Sequence, residues 1–374
     1  MRKTILAVML SALLVPLIAA CGSDPTATPT ATARPSAATA TPTPVPSLED
    51  QLYEEAKATA GGEIHLLFPM TADDAVIIFD FFESKYPGLD IVHTQKSTSE
   101  VTEQTLLEHQ NNRVSVDVVD PGRDSRVIDS GVLANSKDIF DDIKLNELVR
   151  YGDNKAALYT PLGHGPMYNT DLVSEADVPK SWKDLLDPKW KDQIVLEDRL
   201  KGYIYMTDVP AYNGKYPNLW SEAEVIEYLT ALRAQKPLIV HGNTTVGNTV
   251  ASGERAIAGE INMSSAGRLV KKGAPVGIAP VTPHSVEQWL IAATKSGPNP
   301  AGGQLLLRWI IGSEGIAERT KFYPGTSVDP ASGDIVALEY QKKGIELAYS
   351  GIEIASEFSR LQKVYREAIG FISN

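Results

Sequence analysis

The chain runs through strand and helix patterns in alternation, twice over, and this alternation restricts its fold more than any other feature. "EIHLLF" (Glu63–Phe68) follows the Gly61-Gly62 break and reads as a buried strand. Asp73 and Asp74 then suit the positive end of a helix carrying Val76, Ile77, Phe79 and Phe82, which Tyr86-Pro87-Gly88 stops. "LDIVHT" (residues 89–94) is the next strand. "KSTSEVTEQTLLEHQ" opens a second helix with Ser97 and Glu100 at capping-box spacing, and "VSVDVVD" (residues 114–120) is a third strand before Pro121-Gly122. Strand, helix, strand, helix, strand implies a parallel sheet with helices on its faces. A second block follows Tyr168: "QIVLED", the helix "SEAEVIEYLTALRAQ", the strand "LIVHG", the helix "NTTVGNTVASG", the strand "RAIAGEI" and the helix "SSAGRLVKKG". Length also favours two domains over one.

Ligands of open parallel sheets bind beyond the carboxyl ends of the strands. Here those ends carry Thr71, the run Ser97, Thr98 and Ser99, and Arg123 in the first block. The second block contributes Asn243, Thr244 and Thr245, then Asn262 and Ser264. Several lead directly into helix N-termini, where free backbone N–H groups and hydroxyls form a cradle for an anion or polar group. Taken singly, Ser97 also reads as a helix cap and Arg123 as a solvated side chain. Two such blocks facing each other make a cleft.

Ahead of the blocks lie segments of another kind. Arg2 and Lys3, an apolar stretch over residues 5–18, and Ala19-Ala20 read as an export signal, and Pro16 interrupts the apolar run too early for a membrane span. "LIAAC" resembles the lipobox of bacterial lipoproteins, which implies that Cys21 is lipidated and becomes the N-terminus. Residues 1–21 are thus expected to be signal peptide and lipobox. The Pro, Thr and Ala of "GSDPTATPTATARPSAATATPTPVPS" offer little to bury, so a disordered tether is expected over residues 22–58, its low-complexity part ending near Ser47. Stretched as polyproline II at ~3.1 Å per residue, some twenty-five residues reach about 75 Å.

Cys21 is the only cysteine, so the folded part has no disulfide, thiolate metal site or cysteine nucleophile. The formal net charge is −12, and removing Arg2 and Lys3 makes the chain more acidic still. An acidic, exported chain with few aromatics argues against nucleic acid as a partner. A local anion site stays compatible with it, because backbone dipoles dominate at short range. No G-x-S-x-G elbow, H-E-x-x-H helix or P-loop is present, so no catalytic residue and no cofactor is assigned, and an exported hydrolase ranks last among the readings.

The segment "MYNTDLVSEADVPKSWKDLLDPKWKDQIVLED" resembles the crossover region of the extracellular solute-binding proteins of ABC importers, near the ferric-iron-binding branch. "FFESKYPGLDIV", "VDVVD", "VASGERAIAGEI", "RLVKKGAPVGIAPV" and "SGPNPAGGQLLLRWIIGSEGIAERTKFYPGTS" agree in order, from Gly61 to Thr326. The resemblance implies an α/β, type II periplasmic-binding fold: two lobes with parallel-rich sheets joined by crossover strands, with the ligand trapped between. Lobe 1 is expected over residues 59–165 plus 282–330, and lobe 2 over 166–281 plus 331–374. Trp182, Leu185, Leu186 and Trp190 are then core of the second lobe. The implied partners are a permease, its ATPase and, through Cys21, the outer face of the cell membrane.

The iron-binding members use two adjacent tyrosines just after the strand written here "AIAGEI", a hard donor set for a hard cation. This chain has Asn262-Met263-Ser264-Ser265 there, and its nearest approach to a pair is Tyr203-Ile204-Tyr205 on another loop. A metal site is therefore not assigned, and ferric iron held without a tyrosine pair is the second reading. The first reading is a small polar, oxyanionic solute. Arg123, Arg199 or Arg268 could supply its charge partner, Tyr203 and Trp289 could wall it, and His164 in "PLGHGP" is the one histidine on a plausible cleft loop. Glu197, Asp198 and Glu260 suit a polyamine less well than they suit strand ends or local pairs.

Overall fold

The computed structural model describes residues 46–122 and 125–371. The signal, Cys21, the tether up to residue 45 and Arg123 lie outside the described residues.

In chain order the first part comprises α1 (Leu48–Ala58), β1 (Glu63–Phe68), α2 (Ala72–Lys85), β2 (Asp90–Gln95), α3 (Thr98–Gln110), β3 (Val118–Val119), α4 (Ser125–Asp129), α5 (Lys137–Asp142), β4 (Arg150–Tyr151) and the long β5 (Ala156–Asn169). Then come β6 (Ile194–Glu197), α6 (Lys201–Tyr205), the paired β7 (Thr207–Asp208) and β8 (Trp220–Ser221), α7 (Glu222–Leu232), β9 (Leu238–Val240), α8 (Asn243–Ala251), β10 (Ile257–Asn262), α9 (Met263–Lys271) and β11 (Val276–Ile278). The chain closes with β12 (His284–Ala293), α10 (Pro300–Ile311), α11 (Ser313–Phe322), α12 (Ile335–Lys343), β13 (Leu347–Ala348) and α13 (Ile354–Ala368).

The sheet order explains the two lobes. β2, β1 and β3 are parallel neighbours, as the strand–helix–strand alternation requires, and so are β10, β6 and β9. Between these triplets run β12 and β5, antiparallel to each other, β12 against β3 and β5 against β10. Two parallel half-sheets are thus joined through one antiparallel pair that belongs to both. These are the crossover strands. They approach closely because glycine faces bulk: a Cβ on Gly165 would lie 2.2 Å from the His284 ring, and one on Gly163 would lie 2.1 Å from the Tyr340 hydroxyl.

Each half-sheet has its own core. In the first, Ile64, Leu66 and Phe68 of β1 pack with Phe79 and Phe82 of α2 and with Leu306 and Trp309 of α10. In the second, Trp182, Leu185 and Trp190 are buried with Tyr203, Tyr228, Leu361 and Tyr365, and Leu186 packs at the edge. Trp182 also donates its indole N–H to the Pro283 carbonyl at 3.0 Å. The tryptophans of "KSWKDLLDPKW" are core, and the C-terminal α13 covers α6 and α7 with the stripe Leu361, Tyr365 and Ile369.

Two expectations need correction. The tether does not run to residue 58, because α1 begins at Leu48: Ser47 and Asp50 make a reciprocal capping box, and Leu52 and Ala56 are buried. Asn299 anchors that helix by donating to Ala56 O at 2.9 Å. The third strand is shorter than residues 114–120, because the Asp117 carboxylate accepts from the His65 and Asn299 amides at 2.9 and 2.6 Å.

Candidate functional site: a cationic cavity between the lobes

A cavity of about 280 Å³ lies over the crossover strands, and both lobes line it. Thr71 and Met70 come from the carboxyl end of β1, Ile78 from α2, and Tyr159, Thr160 and Leu162 from β5. Trp289 of β12 completes the floor. The second lobe supplies Asn262, Ser264 and Arg268 from the start of α9, and Arg319, Tyr323 and Thr326 close the remaining side. The position follows from the fold, since a strand end, a helix N-terminus and the crossover pair all converge there.

Local chemistry fixes the α9 side. Asn262 is the N-cap, its side-chain oxygen accepting from Ser265 N at 2.8 Å. One turn on, the exposed Arg268 donates to the Ser264 and Ser265 hydroxyls at 2.8 and 3.1 Å. The guanidinium is thereby folded back over the positive end of its own helix, so charge and helix dipole act together. Arg268 also borders a smaller recess of about 80 Å³ with Asn243, Thr244 and Lys272.

Arg319 is the unusual residue. It is only 2 % exposed, and it donates to the carbonyls of Tyr159 at 2.5 Å and Ile310 at 3.3 Å, while its Nε has no partner. Its guanidinium stacks 5.0 Å from the centre of the Tyr159 ring. Burial pushes its pKa down to about 10, partly countered by Tyr159 and by Asp334. No carboxylate forms an ion pair with it among the described residues, and no Asp or Glu lines the cavity among them. A buried cation balanced by carbonyl dipoles leaves a positive field that an anion would neutralise.

Of the expected site residues, Thr71, Asn262 and Ser264 therefore share one cavity, together with Arg268 and Trp289. Asn243 and Thr244 border the adjoining recess, and Thr245 is exposed beside them. Ser97, Thr98 and Ser99 line neither. Ser97 spends its hydroxyl on the capping box with Glu100, Thr98 donates to Asp120 at 3.2 Å, and Ser99 is exposed. Tyr203 is 2 % exposed inside the second core, so it walls no cavity. Arg199 pairs with Glu197 at the end of β6, away from this lining.

His164 is not on a cleft loop. It lies within β5, fully buried, and its two ring nitrogens meet Glu260 of β10 and, at 3.2 Å, Glu287 of β12. Lys201 and Tyr205 of α6 donate to Glu287 at 2.8 and 3.2 Å. Burial alone would lower the His164 pKa, but Glu260 and then Glu287 outweigh it and push it up to about 9. The imidazolium therefore ties one crossover strand to the other and to the second half-sheet.

A larger open groove of about 900 Å³ shares Tyr159, Arg319 and Thr326 with the cavity, but nothing from α8 or α9 lines it. Several of its charged groups are paired with one another: Lys85 with Glu49 and Glu314, and Arg308 with Glu49 at 2.5 Å. The groove is therefore the weaker candidate.

Sequence reasoning missed Arg319, Tyr159, Tyr323 and Thr326. The "SEGIAERTKF" helix carries four charges, and an arginine on such a helix reads as solvated. The burial of Gly315 one turn earlier, and of Thr320 next to it, marks Arg319 as interior.

The fold is similar to that of iron-bound HitA from Pseudomonas aeruginosa, at 19% identity and a TM-score of 0.58 over 82% of this chain and 99% of that one. It is also similar to the periplasmic binding protein AfuA from Actinobacillus pleuropneumoniae with fructose-6-phosphate bound, at 18% identity and 0.56 over 84% and 100%. These likenesses establish a type II periplasmic-binding fold. In sequence, an uncharacterized protein of Haemophilus influenzae is 23% identical over 201 residues, 49% of this chain, and the match spans 56% of that relative's length. The model of the family described as bacterial extracellular solute-binding protein matches residues 78–343, and the chain belongs to that family.

Proposed function

We propose that the chain is the substrate-binding component of an ABC importer and captures a small oxyanionic solute between its lobes for delivery to a membrane permease and its ATPase. The observation that carries this reading is charge. Two guanidiniums, Arg268 and Arg319, border one cavity that no described carboxylate lines. The start of α9 adds its dipole on the same side. AfuA, whose bound fructose-6-phosphate carries a phosphate group, is a relative in keeping with such a site.

Capture proceeds by closure. The solute first meets one lobe, β5 and β12 bend, and the second lobe completes the shell. Only contacts that differ between open and closed forms drive that step, so Thr71 on one lobe and Arg268 on the other have complementary roles. The lipobox residues ending in Cys21 support a lipid anchor on the outer face of the membrane, and the family supports binding and transport over catalysis.

Ferric iron is the second reading. It is favoured by HitA, which was solved iron-bound, and by two phenols, Tyr159 and Tyr323, on the same cavity. Two guanidiniums beside a trivalent cation count against it unless an anion enters with the metal. A thermal-shift screen separates the readings. A bound solute at a hundredfold excess over its dissociation constant adds about 2.7 kcal/mol. Stabilisation by oxyanions supports the proposal. Stabilisation by ferric ion or spermidine, with no response to any anion, overturns it.

A further inference from the structure

The cavity carries more information than its charge. Much of its lining is apolar: Met70, Ile78 and Leu162 contribute to it, together with the partly exposed Trp289. Ile78 and Leu162 are 2 % and 7 % exposed, so this wall is fixed by core packing. Several of the neutral polar atoms already bond within the protein. Asn262 Oδ1 caps Ser265, Ser264 Oγ accepts from Arg268, and Thr326 Oγ1 donates to Tyr323 O at 2.6 Å. A polyhydroxylated solute would leave hydroxyls unpaired against Ile78 and Leu162, and such groups are costly to desolvate. A bare inorganic oxyanion would satisfy the arginines but leave most of the apolar wall in contact with water.

Size points the same way. An apolar cavity of about 150 Å³ takes a benzene ring. At about 280 Å³ this one holds a ring of that kind and still leaves room for a three-oxygen head. Arg268, with its exposed fork, and Arg319, a buried guanidinium on the same lining, are the charge partners for that head.

We propose that the solute is a small organic anion with a flat apolar body, its carboxylate or phosphonate head held by Arg268 and Arg319 and its ring lying against Trp289, Ile78 and Leu162. This deepens the oxyanion reading and rests on it. In the closed form the head neutralises the buried guanidinium and the body displaces water from the apolar wall, so both halves of the solute contribute.

Isothermal titration calorimetry on the signal-free chain, purified through denaturation and refolding to remove bound solute, tests this with benzoate, phenylphosphonate, acetate, inorganic phosphate and fructose-6-phosphate. The expected result is that benzoate or phenylphosphonate binds at least about tenfold tighter than acetate or phosphate, with a negative heat-capacity change from apolar burial. Which of the two binds identifies the head. Trp289→Ala should lower the affinity for the aryl anions by a larger factor than that for acetate or phosphate, and Trp289→Phe should restore the difference. If fructose-6-phosphate or inorganic phosphate binds as tightly as the aryl anions, the apolar body is wrong and the oxyanion reading stands. If no anion binds while ferric ion does, both fall.

Discussion

Arg268 and Arg319 carry the same charge in the same cavity but should respond differently to substitution. Arg268 is exposed and bonded only to two hydroxyls, so Arg268→Ala should leave the unfolding midpoint nearly unchanged. It should weaken anion binding about ten- to a hundredfold, the worth of a charge-assisted hydrogen bond, as read by calorimetry. Unchanged affinity would remove Arg268 from the site. Arg319 is wired into the carbonyls of Tyr159 and Ile310, so its removal confuses stability with binding and is the poorer test. Two histidines set a second residue-scale expectation. His164, raised to about 9 by Glu260 and Glu287, contributes stability that is complete below its unfolded value near 6.5 and is lost as pH rises through 9. His284 is its opposite: burial, then the charges of His164 and Lys343, push it down to about 3, so the folded state loses stability as pH falls below 6.5. The urea midpoint should therefore peak near pH 6.5 and decline toward pH 9, a range in which Asp and Glu do not ordinarily titrate. A midpoint that stays flat or rises over that range contradicts the buried imidazolium.

At the scale of elements, the alternation of strand and helix was legible because apolar periodicity and punctuation agree. β1, β2, α3, β6, β9, β10 and α9 fall within a residue or two of their sequence boundaries. The Ser97–Glu100 capping box is present with both its hydrogen bonds, and this is why the loop before α3 was misleading as a binding surface: a serine that caps its helix well has little left for a ligand. The start of α9 shows the reverse, since Asn262 caps with one atom while the same turn presents Ser264 and Arg268 to the cavity. α1 was overlooked because the Pro/Thr/Ala composition before it hid a short capping signal. Ser47→Ala should cost about 1 kcal/mol in urea unfolding, and a null effect would mean that α1 is docked by α10 alone. The crossover pair is tightly constrained. Gly165→Ala would drive a methyl into the His284 ring and should cost about 1–3 kcal/mol, with a shift to lower urea midpoint. A neutral outcome would show that β5 and β12 separate more readily than their packing indicates.

For the whole molecule, the sequence indicated two α/β blocks facing a cleft but could not say which loops meet. Ser97–Ser99 and Asn243–Thr245 share no described cavity, whereas Thr71 meets Asn262, Ser264 and Arg268. That pairing depends on how β5 and β12 bring the half-sheets together, a relation between strands more than a hundred residues apart that no local pattern encodes. The proposed closure would hinge on the same pair, since each parallel triplet has its own core and the crossover strands join them into one sheet. Small-angle scattering should show a smaller radius of gyration when a bound anion saturates the site, and no change would argue against closure. Native mass spectrometry of the protein purified without denaturation would reveal the solute it carries. A copurified small organic anion, absent from Arg268→Ala, is the expected result; a retained ferric ion or polyamine, present equally in the variant, would rule out an anion site at Arg268.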